Sequence, residues 1–198
     1  MRLLPCGPGA ILAEYDSLVE VMAVDGALRE SQLAGIDDVI PAARTVLVTY
    51  RNVDRASLER LLVPGTTTAR VHGPLVEIPV VYDGVDLEEV ALATGLSTEQ
   101  VIASHSATEY SAAFRGFTPG WAYLVGLPAE LHLPRRPTPR TAITAGSVAI
   151  ANEFTGVYPT ASPGGWHLLG HTTATMFDVE RDKPALVMAG DRVRFVRT

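Results

Sequence analysis

Phe114-Arg115-Gly116-Phe117-Thr118-Pro119-Gly120-Trp121-Ala122-Tyr123-Leu124 sets aromatic side chains among closely spaced turn formers. Glycine and proline at this density exclude a long helix and break the chain into short apolar runs. The same texture continues towards the C-terminus, through Gly126-Leu127-Pro128, Ala145-Gly146, Ser162-Pro163-Gly164-Gly165 and Ala189-Gly190-Asp191. Turns so regularly placed between apolar segments predict a closed or nearly closed β-barrel from about Glu109 onward.

Upstream of this region the pattern is mixed. Residues 10–15 predict a strand. Ser17-Leu18-Val19-Glu20 is a capping box, and Leu18, Val21, Met22 and Leu28 recur at helical spacing, so a helix follows to about Leu33. Residues 39–41 and 45–50 predict strands, the second rich in β-branched residues. Residues 55–62 predict a short helix, stopped by Pro64-Gly65. Thr66-Thr67-Thr68-Ala69-Arg70 reads as a linker or loop. A strand over 76–82 and helices over 86–93 and 97–106 come next, the last opened by a second capping box, Ser97-Thr98-Glu99-Gln100. The expected fold class is α+β: a small N-terminal α/β sandwich over 1–76, then a β-barrel domain over 77–198.

Composition removes several functions. Of 198 residues, 47% are hydrophobic and 19% charged, values of a packed globular chain. The formal net charge is −6, the wrong sign for a phosphate backbone. The two helices around Gly95-Leu96 resemble a helix-turn-helix, but the second opens with no Arg or Lys to meet DNA. Cys6 is the single cysteine, so an internal disulfide is impossible, and a reducing, cytoplasmic location is expected. The N-terminus has no signal-peptide pattern, and no apolar run reaches the ~20 residues of a membrane span. No Gly-Lys dipeptide occurs, which excludes a P-loop. Leu12 stands where a dinucleotide fingerprint beginning at Gly7 needs its third glycine. Lys183, the only lysine, lies outside any amidase-like loop. His167 and His171 are four apart, yet their neighbouring glycines and the missing intervening Glu speak against a zinc site, and no metal is expected.

Three segments remain chemically suggestive. In the first, His105, Glu109, Tyr110 and Tyr123 surround the aromatic run; they are either barrel core or polar groups of a pocket wall. In the second, Pro134-Arg135-Arg136-Pro137-Thr138-Pro139-Arg140, the prolines force an extended loop that gathers Arg135, Arg136 and Arg140 in an acidic protein. Arginine forks suit carboxylate or phosphate, although such clusters also occur as solvated or salt-bridged loops. In the third, Gly164-Gly165-Trp166 permits φ > 0 and an anion-binding nest of backbone N–H groups, or else a tight turn anchored by Trp166.

Together these segments resemble the family of the 5-oxoprolinase B subunit, the sporulation-kinase inhibitor and allophanate hydrolase subunit 1. The resemblance is carried by 116–124, 134–140, Ala145-Gly146-Ser147-Val148, 158–166 and the ending Gly190-Asp191-Arg192-Val193-Arg194-Phe195. It implies a cyclophilin-like barrel and an obligate neighbour, either a C-type subunit or a protein of the allophanate hydrolase subunit 2 type. It further implies an ATP-dependent lactam hydrolase that opens 5-oxoproline to glutamate, with ATP and its Mg held at an interface between subunits. An allophanate- or urea-linked subunit and a non-catalytic histidine-kinase inhibitor are the alternatives. On this resemblance His105, Glu109 and Tyr110 are the candidates for proton handling. Arg135, Arg136, Arg140, Tyr123, Gly164, Gly165, Trp166, His171 and Thr172 are the candidates for binding substrate or anion. His171 departs from the pattern, since the family usually carries Gly-Arg-Thr where this chain has Gly170-His171-Thr172.

Overall fold

The computed structural model describes residues 1–65 and 73–198. The 66–70 segment expected to be a linker lies outside the described residues. The chain divides into two compact units, Met1–Val71 and His72–Thr198.

The first unit is a four-stranded antiparallel sheet with two helices. Its elements are β1 (Arg2–Pro5), β2 (Ala10–Glu14), α1 (Leu18–Ser31), β3 (Ile36–Pro41), β4 (Thr45–Tyr50) and α2 (Arg55–Leu61), with strand order β1-β2-β4-β3. Ile11 and Ala13 of β2 and Val46 and Val48 of β4 are buried at every second position, so one sheet face forms the core. Val21, Val24 and Leu28 of α1 join them, with Leu58 of α2. Each such fully buried aliphatic side chain contributes about 1.5–3 kcal/mol. Both halves of the Ser17–Glu20 capping box are formed. Asp25, buried on α1, takes the Arg29 guanidinium at 2.9 Å, and Arg29 also donates to the Val39 carbonyl at 3.1 Å, which ties helix to sheet. Strand β1 was not expected from sequence. It is an edge strand ending in proline, and such residues read as a terminus rather than a ladder.

The second unit opens with β5 (Leu75–Val80), α3 (Leu87–Thr94) and α4 (Thr98–Ala107), followed by β6 (Glu109–Arg115) and β7 (Ala122–Val125). After a 3-10 turn at Ala129–Leu131 come β8 (Arg140–Ile143), β9 (Ser147–Ala151), β10 (Phe154–Val157), β11 (Ser162–Gly164), β12 (His167–His171) and β13 (Arg192–Arg197). Residues 73–76, assigned from sequence to the first domain, belong here: the Gly73 N–H donates to the Gly190 carbonyl at 2.9 Å, and Leu75 and Val76 pair with β13.

Seven strands form one sheet in the order β12-β9-β10-β7-β6-β13-β5, antiparallel except for the β5/β13 pair. Val81, just past β5, bridges His171 of β12, each N–H donating to the other's carbonyl at 2.9 Å. That bridge joins the two ends of the sheet into a nearly closed barrel, which removes its free edges. The seam is too tight for side chains: a Cβ at Gly170 would collide with the Val81 carbonyl, and one at Gly84 with the backbone of Leu168 and Leu169. A separate two-stranded ladder, β8 with β11, stands beside the barrel and pairs Gly164 with Arg140.

Candidate functional site

The aromatic residues around Gly116–Leu124 divide between two environments. Trp121 and Tyr123 meet Tyr158 and Trp166 from the far end of the chain. Trp121 lies 4.8 Å from Tyr158 and 4.9 Å from Trp166 between ring centroids, and Tyr123 lies 5.9 Å from Trp166. All these pairs meet edge to face, the arrangement that ring quadrupoles favour. They line a recess of about 310 Å³, counting its open mouth, together with Phe117, Arg135, Pro163, Gly164 and Gly165. Trp121 Nε1 is buried without a hydrogen-bond partner. Burial raises the Tyr158 hydroxyl pKa above its ordinary value against the opposing effect of the Trp166 backbone N–H and Arg135, and burial likewise raises Tyr123. Both phenols are therefore neutral at physiological pH.

Phe117 sits at the rim, 60% exposed, with its backbone at φ +61°. The Thr118 N–H donates to the Gly116 carbonyl at 2.6 Å, so Phe117 is the centre of a γ-turn of the rare positive-φ kind. Positive φ at a bulky residue is strained.

Of the two readings of Gly164 and Gly165, a nest of N–H groups or a tight turn, the nest is not formed. Neither has the left-handed φ that such a nest requires. Gly164 is needed for space, because a Cβ there would strike the Tyr158 hydroxyl and come within 2.8 Å of Ile143 Cδ1.

The three arginines of the 134–140 loop have different fates. Arg136 and Arg140 turn onto Asp86, a carboxylate only 2% exposed at the start of α3. Arg140 reaches Asp86 at 2.9 and 2.6 Å and Arg136 at 3.0 Å, while Arg136 also holds Glu89 at 2.6 Å. The Leu168 N–H adds a fourth bond to Asp86 at 2.8 Å. Burial alone would raise the Asp86 pKa, but these donors outweigh it and hold the carboxyl below its usual range. Arg135 is exposed and lines the recess, with no carboxylate partner among the described residues. It is the one arginine of the three available to a ligand.

None of the three proton-handling candidates lines the recess. His105, on α4, is wholly buried and stacks on Phe195 at 4.7 Å. Its Nε2 lies 2.9 Å from Thr155 Oγ1, and that hydroxyl donates onward to the Ala149 carbonyl. Thr155 must therefore accept, which puts the imidazole proton on Nε2 and leaves Nδ1 to accept the Tyr82 hydroxyl at 2.8 Å. Burial pushes the His105 pKa down to about 3, so it is a neutral core residue. Tyr110 is also in the core and donates to the His105 carbonyl at 2.8 Å. Glu109, one residue away on β6, points outward and pairs with Arg192 and Arg194 at 3.3 and 3.2 Å. His171 pairs with Asp83 at 2.7 Å beside the barrel seam, and Thr172 is buried with its hydroxyl accepting from the Ala174 N–H at 3.1 Å. His167 is engaged elsewhere, donating from Nε2 to the Pro134 carbonyl at 2.9 Å. Sequence reasoning missed Phe117, Trp121 and Tyr158 as recess residues, though all lie in the motifs it singled out. It missed Asp86 as well, which sits about fifty positions from its arginines.

Residues 1–187 match the family described as carboxyltransferase domain, subdomain C and D. The B subunit of 5-oxoprolinase from Escherichia coli O157:H7 is 44% identical over 96% of this chain and 93% of its own length. That of Bacillus subtilis strain 168 is 37% identical over 89% and 82% respectively. Among solved structures, TTHA0988 superposes with TM-score 0.76 and 39% identity over all of this chain, which spans only 39% of that longer one. This chain belongs to the family of 5-oxoprolinase B subunits.

Proposed function

We propose that the chain is the B-type subunit of an ATP-dependent 5-oxoprolinase and that, with a C-type partner, it opens 5-oxoproline to glutamate. The observation that carries this reading is the recess: an open mouth lined by aromatic side chains, with an arginine at the opening that has no carboxylate partner among the described residues. A lactam ring would lie against Trp121, Tyr123 and Trp166, and its carboxylate would meet Arg135. A charge-assisted bond of this kind contributes about 1.5–3 kcal/mol. Opening the ring breaks the amide C–N bond; water supplies the hydroxyl to carbon and the proton to nitrogen.

The recess does not fit a nucleotide. Among the described residues it offers a single free cation, since Arg136 and Arg140 are neutralised by Asp86 and Glu89, and a Mg-bound triphosphate needs several. Nor, among the described residues, does its lining include Asp, Glu, His or Lys to act as a general base. We therefore place ATP, its Mg and the proton-transfer group at the interface with the partner, and assign this chain to holding and orienting the carboxylate substrate. The barrel is read as cyclophilin-like in type, which by itself carries no isomerase activity.

The test is ATP-dependent 5-oxoproline turnover by this chain, by a C-type partner, and by both together. Activity only in the mixture is expected. Full activity from this chain alone would overturn the shared site, and turnover of allophanate in place of 5-oxoproline would overturn the substrate.

A further inference from the structure

Three prolines in the 134–140 loop cannot donate backbone hydrogen bonds, so other contacts must fix its shape. Arg135 is braced on both sides. The Pro134 carbonyl accepts from His167 Nε2 at 2.9 Å, and the Arg136 N–H donates to the Gly165 carbonyl at 2.8 Å. Beyond those two bonds and the pairing of Arg140 with Gly164, the loop is held by side chains, most of whose bonds converge on Asp86. This one buried carboxylate gathers Arg136, Arg140 and the Leu168 N–H, and so joins the start of α3, the loop and β12. Charge is allotted along with position. Asp86 and Glu89 together balance Arg136 and Arg140, leaving Arg135, among the described residues, as the uncompensated positive charge at the recess.

We propose that Asp86 is a positioning residue for substrate: by sequestering Arg136 and Arg140 it fixes the loop so that Arg135 alone is presented to the ligand's carboxylate. This rests on the reading of the recess given above and deepens it. Asp86 touches no substrate itself. Its role is to convert a run of three arginines into one directed cation, so its effect on binding passes through Arg135.

The experiment is a double-mutant cycle on the full chain. The only two tryptophans, Trp121 and Trp166, both line the recess, so indole fluorescence reports its occupancy. L-5-oxoproline is titrated into the wild type, Asp86→Asn, Arg135→Gln and the double variant. 2-Pyrrolidinone, the same lactam without the carboxylate, serves as control. Asp86→Asn is expected to weaken 5-oxoproline binding by about 10-fold, within the coupling range of residues in one hydrogen-bond network. It should leave 2-pyrrolidinone binding within about 2-fold, and in the Arg135→Gln background it should cause no further loss. Should Asp86→Asn fail to fold, the cycle is run with Arg136→Met, which leaves Arg140 on Asp86; a smaller loss, again absent without Arg135, is expected. Additive losses, or equal losses for both ligands, would mean that Asp86 merely supports the fold and would overturn the proposal. A wild-type chain with no response to 5-oxoproline would bring down the recess reading and this inference together, whereas response with additivity removes the inference alone.

Discussion

Replacing His105 by phenylalanine separates a core role from a catalytic one. The substitution preserves a ring to stack on Phe195 but removes two hydrogen bonds, one accepted from Tyr82 and one donated to Thr155. Thr155 keeps its bond to the Ala149 carbonyl, and Tyr82 is only half-buried, so water can replace part of what it loses. At about 1 kcal/mol for each lost bond, with some added cost for the buried Thr155 oxygen, the total is about 2–3 kcal/mol. For a chain of this size that lowers Tm by roughly 4–12 °C. The pH dependence should change too. Native His105 is held neutral down to about pH 3, whereas the unfolded imidazole protonates near its ordinary value of 6.5. The stability it contributes is thus complete above pH 6.5 and is lost progressively as pH falls towards 3, by up to about 1.4 kcal/mol per pH unit. Thermal melts across that window should show the steep acid limb in the wild type and a flatter one in His105→Phe. Turnover by the reconstituted assembly, measured well below Tm, should stay within about 2-fold because only folding is affected. A large fall in turnover with Tm and its pH profile unchanged would refute the assignment and return His105 to the chemistry.

Three other substitutions probe the frame around the recess. Gly164→Ala should lower stability by about 1–3 kcal/mol through overpacking against Tyr158 and Ile143, seen in denaturant midpoints, and should abolish the indole response to ligand. Asp86→Ala should cost about 3–5 kcal/mol, because it strands the partly buried Arg140 guanidinium and leaves Arg136 only its pair with Glu89. Since the Asp86 carboxyl is depressed in the folded state, its contribution is present above the unfolded carboxylate pKa and lost as pH falls through the lower folded value; the acid limb of the melt should lose that component in the variant. His171→Arg should change stability by less than about 1 kcal/mol, because the Asp83 pair is exposed and an arginine can remake it; unchanged 5-oxoproline turnover would show that the departure at this position does not set the substrate.

Much of the fold was legible because local rules and tertiary packing agree. The capping boxes at Ser17 and Ser97 mark helices whose first-turn bonds both form. The turn-rich texture after Glu109 announced a barrel. Its seam and its parallel β5/β13 pair were not legible, since they join segments far apart in sequence, with Leu75 beside Arg192. The recess was half legible. Its motifs were visible, but a strand alternates its side chains, so Tyr110 enters the core while Glu109 faces solvent, and neither composition nor spacing says which face a polar residue takes. The same blindness made His105 look like a pocket residue. The arginine loop stayed open between an anion site and a salt-bridged loop because Asp86, which claims two of its three members, lies far away in sequence. Gly164 was read as a residue freeing φ, when the Tyr158 hydroxyl requires the missing side chain instead.

At the centre of the proposed function, this chain holds the substrate's carboxylate through Arg135 while the nucleotide is held elsewhere. The most direct measurement is the KM for 5-oxoproline and for ATP of the reconstituted assembly carrying Arg135→Gln. Loss of a charge-assisted bond of about 1.5–3 kcal/mol predicts a rise of roughly 10- to 150-fold in the 5-oxoproline KM, with the ATP KM unchanged. An unchanged 5-oxoproline KM, or a rise confined to ATP, would contradict that division of roles.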